Sequence, residues 1–160
     1  MAADSRPRER RSIARNKRAT HEYLILDELE VGIVLRGTEV KSLRAGRVSL
    51  QEAYCFIKNG ELQIMQMHIP EYAQGNVHNH EPTRDRVLLA KKQEVEKWGK
   101  SVREKGTTLI PLEVLWDGSL VKLRVGLARG KKLHDKRQSK RDRDDRREEA
   151  RAQKSDRHGD

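Results

Sequence analysis

Leu112-Glu113-Val114-Leu115-Trp116-Asp117-Gly118-Ser119-Leu120-Val121-Lys122-Leu123-Arg124-Val125-Gly126-Leu127-Ala128 is the stretch whose reading decides the fold. Two strand-like runs flank Asp117-Gly118, a pair that accepts the positive φ of a tight hairpin turn. On the return run Val121, Leu123, Val125 and Leu127 recur with the period of two that a half-buried strand requires. Lys122 and Arg124 fall on the opposite face. A cationic stripe placed there can follow a sugar–phosphate backbone. The competing reading is edge protection, because lysine on an outer strand blocks aggregation.

Upstream, the same grammar repeats. Tyr54-Cys55-Phe56-Ile57-Lys58 and Glu61-Leu62-Gln63-Ile64-Met65 bracket Asn59-Gly60, which predicts a second tight hairpin. Tyr23-Leu24-Ile25-Leu26 and Val31-Gly32-Ile33-Val34-Leu35 are strand-like, with Asp27, Glu28 and Glu30 between them, and can pair as a hairpin. The run from Gly37 to Gly46 predicts a short helix capped by Thr38, with Lys41 and Arg44 on one face. From Lys91 to Lys105 the period becomes helical. Val95, Trp98 and Val102 form one stripe, so Trp98 reads as core, and Gly106 ends the helix. Residues 68–81 read as a polar surface loop. His78-Asn79-His80-Glu81 inside it suggests a metal, but zinc needs three or four suitable ligands and no cysteine pair completes the set.

Charge is distributed unevenly. Residues 1–20 hold 7 Lys/Arg against 2 Asp/Glu, residues 131–160 hold 12 against 8, and residues 21–130 hold 16 against 15. The formal net charge of +10 therefore sits in the two arms, around a nearly neutral middle. Basic arms on a neutral body point to a nucleic-acid partner, although charge alone also serves solubility. Residues 1–15 are Arg- and Ser-rich with Ile13 the one sizeable apolar group after Met1, so a disordered basic arm is expected. A folded domain over 16–130 and a charged tail over 131–160 follow. One cysteine, Cys55, excludes an internal disulfide and reads as a small filler. No apolar run suggests a signal peptide or a membrane span, so a cytoplasmic protein is expected.

Gly130-Lys131-Lys132-Leu133-His134-Asp135-Lys136-Arg137 joins chain that can pack to chain that cannot, for Leu133 is the last large apolar residue. His134-Asp135-Lys136 invites a nuclease reading. Consecutive residues do not reliably face one another, however, and no phosphate-cradling glycine loop or metal set accompanies them. Beyond Gln138 the acid–base spacings favour a helix by about 0.2–0.5 kcal/mol per pair. That does not offset the ordering cost, so the tail is expected to be helical only when docked.

Four segments carry a resemblance. They are Asn16-Lys17-Arg18-Ala19 with His21-Glu22-Tyr23; Gly37-x-Glu39-Val40-Lys41-Ser42-Leu43-Arg44-Ala45-Gly46; Pro82-Thr83-Arg84-x-Arg86 with Leu88-Leu89; and Gly130-Lys131-Lys132-x-His134-Asp135-Lys136-Arg137. In this order the chain resembles the SsrA-binding protein family, the small protein B partners of transfer-messenger RNA in bacterial trans-translation. The resemblance covers about Asn16 to Arg137.

It implies a mainly β fold, an oligonucleotide-binding type antiparallel β-barrel with about three short helices. It implies a non-enzymatic protein without cofactor or metal. The barrel would hold the tRNA-like domain of transfer-messenger RNA, and the tail would enter the decoding centre and empty mRNA channel of a stalled ribosome. Elongation factor Tu would share the delivery complex, and neither membrane nor DNA is a partner. Asn16, Glu30 and Leu89 match family positions tied to RNA, with Lys17, Arg18, Lys41, Arg44, Arg84 and Arg86 in the signature segments. Lys122, Arg124, Arg129, Lys131 and Lys132 are added on charge and position. Glu30, an acid, would accept from base or 2′-hydroxyl donors or hold a neighbouring cation. His134, Asp135, Lys136 and Arg137 match the tail motif of the decoding centre. A general single-stranded RNA chaperone is the alternative.

Overall fold

The computed structural model describes residues 9–74 and 79–131, together with Arg143, residues 145–149 and Arg151. In chain order the elements are β1 (Arg10–Arg15), α1 (Ala19–Glu22), β2 (Tyr23–Ile33), α2 (Gly37–Arg44), β3 (Tyr54–Lys58), β4 (Glu61–Met65), β5 (Arg86–Leu89), α3 (Lys92–Lys105), β6 (Thr108–Asp117) and β7 (Leu120–Gly130). The fold is mainly β, with every named strand pairing antiparallel. From β6 the pairings run through β3, β4, β5, β2 and β7 and return to β6. β1 lies beside β6 beyond the single Cys55–Leu109 bridge that joins β3 to it.

Both expected hairpins form. Asn59 and Gly60 carry φ of 52° and 75°, the paired left-handed values of a type I′ turn. The second turn is displaced by one residue from its expected place. Asp117 pairs with Leu120, so Gly118 and Ser119 make the loop, and only Gly118 has positive φ, at 61°. That is the pattern of a type II′ turn, in which glycine takes the first central position. Inward alternation on β7 is as read, with Leu123, Val125 and Leu127 buried. α3 seats Val95 and Trp98 on the core and ends at Gly106, whose φ is 63°.

Four expectations are corrected. Residues 10–15 are not disordered: they form β1, because β3 leaves the Glu113–Asp117 edge of β6 open and Ile13 packs on the core. The two runs in 23–35 do not fold on each other. They are one strand, β2, because β7 offers a continuous partner from Tyr23 to Gly32, with a bulge between Ile25 and Asp27. The acids inside that strand are accommodated by partners; Asp27, for one, accepts a bond from Trp98 Nε1 at 3.0 Å. Thr38 does not cap α2. The cap residue is Arg36, whose N–H donates to Glu39 Oε1 at 2.8 Å. His80 is not on a surface loop. It is buried, with Nδ1 2.8 Å from Thr38 Oγ1 and Nε2 2.8 Å from the Ile69 carbonyl. His78 lies outside the described residues.

The tail was expected to be helical only when docked. Arg143, residues 145–149 and Arg151 are helical here, and Arg143 Nη2 lies 3.1 Å from His21 Nδ1. Arginine and glutamate at these positions are strong helix formers, and this contact gives the segment a neighbour on the body.

Glu39, fully buried, fastens α2 to the rest. Arg84 donates to its Oε1 and Arg86 to its Oε2. Arg86 is also fully buried and further donates to the carbonyls of Met67, Arg84 and Pro82. Burial pushes the Glu39 carboxyl up, but the Arg36 N–H and the two guanidinium groups outweigh it and hold the group below its ordinary value. Cys55 is buried, which pushes its thiol up and makes it unreactive.

Arg86→Met, which leaves the buried carboxylate with Arg84 alone, is expected to cost roughly 3 kcal/mol in urea unfolding. A depressed carboxyl contributes stability that is fully present above its unfolded value of about 4.3 and is lost as pH falls through the lower folded value. Glu39→Gln should therefore flatten the acid limb of the stability–pH curve as well as lower the whole curve.

Candidate nucleic-acid interface

One face of the sheet is organised in rows. Leu89 of β5, Gly32 of β2 and Lys122 of β7 stand in register, and the row continues through Leu115 of β6 to Ser12 of β1. Two residues along, Glu30, Arg124, Glu113 and Arg15 form the next row. Residues paired directly across an antiparallel ladder project to the same side, so the two rows share one face.

Gly32 is the quiet member of the first row. A Cβ there would stand 3.3 Å from Leu89 Cβ, tighter than side chains normally tolerate. Glycine inside a strand marks such a close approach, and here it lets Leu89 lie across β2. Leu89 remains 60% exposed, the largest value among the exposed large apolar side chains described. Lys122, half-buried, forms no ion pair among the described residues.

The second row is held by its own charges. Glu113 is buried and accepts from Ser12 Oγ at 2.9 Å, Arg15 Nε at 2.7 Å and Arg124 Nη2 at 3.1 Å. Burial pushes its carboxyl up, but the bonds from Ser12 and Arg15 and the nearby Arg124 charge hold it below the usual range. Arg124 also has Glu28 at 3.9 Å. The expected Lys122–Arg124 stripe therefore divides: Arg124 is tied to acids, and Lys122 is the cation left open. Glu30 is paired with Arg10, Nη2 to Oε2 at 2.5 Å.

The remaining sequence-predicted residues are scattered. Asn16 is half-buried and works as a clasp: its N–H donates to the Leu112 carbonyl at 2.8 Å and its side-chain amide to Pro111 at 2.9 Å. Exposed Lys17 and Arg18 line a cleft of about 310 Å³ against Val48–Gln51. Arg18 also pairs with Glu22 at 3.1 Å. Lys41 stands over the Tyr72 ring, 5.5 Å from its centroid. Arg44 is exposed beside Arg11 on a second cleft of about 450 Å³.

Arg86 is corrected as an interface residue, since it is engaged with Glu39 and has no exposed surface; Arg84 is also paired with Glu39 but keeps part of its side chain exposed. Arg129 is exposed at the end of β7. Lys131 Nζ donates to the Thr20 carbonyl at 2.8 Å, which pins the start of the joint to α1. Lys132, His134, Asp135, Lys136 and Arg137 lie outside the described residues.

Sequence reasoning missed Arg10, Arg15 and Gly32. The first two were assigned to a disordered arm. Glycine within an aliphatic strand was a readable signal for the third. Among the described residues, no three His, Cys, Asp or Glu side chains come together to hold a metal, and no helix is long and apolar enough to cross a membrane.

An antiparallel sheet with an exposed leucine, an open lysine and acid-held arginines on one face is a small β module suited to gripping a polyanion that also presents apolar surface. Comparison with known proteins narrows the class. The model of the family described as SmpB protein matches residues 13–155. An SsrA-binding protein from Acetivibrio thermocellus is 51% identical over 130 residues, 81% of this chain and 84% of the relative. One from Salinispora arenicola is 51% identical over 148 residues, 91% of this chain and 93% of the relative. A chain solved in work on tmRNA-SmpB and its journey to the centre of the bacterial ribosome superposes with a TM-score of 0.63 at 42% identity, covering 75% of this chain and 85% of that one. The chain belongs to the SmpB family.

The divided stripe has a measurable consequence. Arg124→Ala, which deprives buried Glu113 of a cation, should lower the urea midpoint. Lys122→Ala should leave stability within about 0.5 kcal/mol, as surface substitutions usually do.

Proposed function

We propose that this protein binds transfer-messenger RNA and brings it to ribosomes stalled on mRNA without a stop codon, so that trans-translation can free the ribosome and tag the incomplete product. The observation that carries this reading is family membership over residues 13–155, joined to about half identity with SsrA-binding proteins. The sheet that returns on itself is read as an oligonucleotide-binding type barrel. Its face around Leu89, Gly32, Glu30 and Lys122 is read as the grip on the tRNA-like domain. An apolar side chain beside a cation suits RNA whose unpaired bases and phosphates lie together.

The joint and tail, with Lys132, His134, Asp135, Lys136 and Arg137, are read as the part that enters the decoding centre and mRNA channel, where the imidazole can stack on an unpaired base. Asn16, Lys17, Arg18, Lys41, Arg44, Arg129 and Lys131 are secondary contacts in this reading. Elongation factor Tu belongs to the delivery complex, the protein works in the cytoplasm, and it performs no catalysis of its own.

A chain ending after Arg129 should still bind transfer-messenger RNA, yet fail to support tagging on stalled ribosomes in a reconstituted translation assay. Loss of RNA binding with tagging intact would reverse the proposed division of labour. Excess unstructured RNA should displace the tRNA-like domain poorly. Ready displacement would instead favour the single-stranded RNA chaperone.

A further inference from the structure

Glu30 sits where a polyanion is expected to land, and a carboxylate there opposes phosphate. Its neighbour changes the meaning of that charge. Arg10 comes from β1, 20 residues earlier, and its Nη2 donates to Glu30 Oε2. Arg10 Nη1 also lies 3.9 Å from Asp117 Oδ2. The backbone beneath is fixed: Arg10 is in register with Asp117, and the Gly118 N–H donates to the Glu9 carbonyl at 2.8 Å.

The pair is open to solvent, with side-chain exposures of 50% for Arg10 and 34% for Glu30. A guanidinium carries five N–H donors in a rigid fork. Glu30 occupies one nitrogen, and no hydrogen bond among the described residues engages Arg10 Nε. Glu30 takes one hydrogen of Nη2 and so fixes the plane of the guanidinium, while the Nε hydrogen and the second Nη2 hydrogen remain to donate to a phosphate. Glu30 shares a strand face with Gly32, so the held guanidinium stands next to the Leu89–Gly32–Lys122 row.

We propose that Arg10 is a phosphate-contacting residue of the RNA face and that Glu30 is a positioning residue which acts on RNA through Arg10. The proposal rests on the RNA-binding reading above. Loss of either member has different signatures. Without Arg10 a phosphate contact disappears, and with it a counterion-release increment. Without Glu30 the charge remains but its direction is lost, so affinity falls while salt dependence persists.

The test is the affinity of the full chain for the tRNA-like domain of transfer-messenger RNA, measured by fluorescence anisotropy over about 50–300 mM salt. Arg10→Ala should weaken binding about tenfold and reduce the steepness of the log–log salt dependence by about 0.7–0.9. Arg10→Lys should restore the steepness but not the full affinity, because an ammonium is not bidentate. Glu30→Gln should weaken the native chain with its salt dependence retained, and should add nothing in the Arg10→Ala background. Matching urea midpoints would confirm that these exposed substitutions leave the fold intact.

Equal Glu30→Gln losses in both backgrounds would mean that Glu30 touches RNA itself, and the proposal falls. It falls equally if Arg10→Ala binds as tightly as the native chain. A native chain that shows no preference for the tRNA-like domain over unstructured RNA would instead overturn the functional reading on which the proposal stands.

Discussion

Glu39 is a carboxylate with no access to water, and the positions of α2, β5 and the segment before β5 all refer to it. Isolated, such a charge would be untenable in an apolar interior. Here it is met from three directions: by the Arg36 N–H at the start of α2, and by Arg84 and Arg86 from the edge of β5. Arg86 in turn gathers the carbonyls of Met67, Pro82 and Arg84. A buried ion pair is weak evidence for stability, since apolar replacements of the same shape often do as well. What this one supplies is direction. Apolar side chains can slide over one another, whereas a guanidinium with four bonds to named acceptors admits one arrangement of helix, strand and loop.

That arrangement reaches the outer face of the sheet through β5. Leu88 is buried and Leu89 points outward only because Arg86, two residues before Leu88, points inward. A slip of one residue would bring Arg86 to the surface and bury Leu89. The ion pair thus sets which leucine meets β2 at Gly32, and so where the exposed apolar spot lies relative to Lys122. His80 adds a second clasp on the same helix through Thr38 and the Ile69 carbonyl. Neither clasp touches the outer face, and both determine what that face displays.

Local signals were legible wherever a short segment contains its own reason. Asn59-Gly60 dictates its turn, the Val95–Trp98–Val102 stripe dictates its helix, and alternation from Val121 to Leu127 dictates which side is buried. What the sequence hid was decided between distant segments. β1 is strand because a vacant edge of β6 is offered to it; nothing within residues 10–15 announces that. β2 is continuous because β7 is long enough to carry it, which overrides the three acids that looked like a turn. Arg86 was misread for a related reason. The inward period of Leu88 already placed it inside, but its acid partner lies 47 positions away, and a buried arginine without a visible partner reads as a surface contact. Of the residues proposed for the RNA face, Leu89 and Glu30 come from family resemblance and Lys122 from strand alternation, while Arg10 emerges only from the fold.

With β1 part of the body, residues 9–131 hold 22 Lys/Arg against 16 Asp/Glu, so most of the chain's net charge of +10 sits in the folded part, where acids are set among the cations. Glu28, Glu30, Glu113 and Asp117 lie among Arg10, Arg15 and Arg124, so the face is a patchwork of opposite charges. A uniformly basic patch would attract any polyanion, with a strength governed by salt. Acids between the cations weaken that unselective pull and fix the remaining donors in place, which favours a ligand whose phosphates match their spacing. The remaining +4 lies in residues 1–8 and 132–160, and the pull of any of this charge reaches one Debye length, about 8 Å at physiological ionic strength. On such a face the net charge attracts while the paired acids decide where the donors point, so a basic body need not be an unselective one.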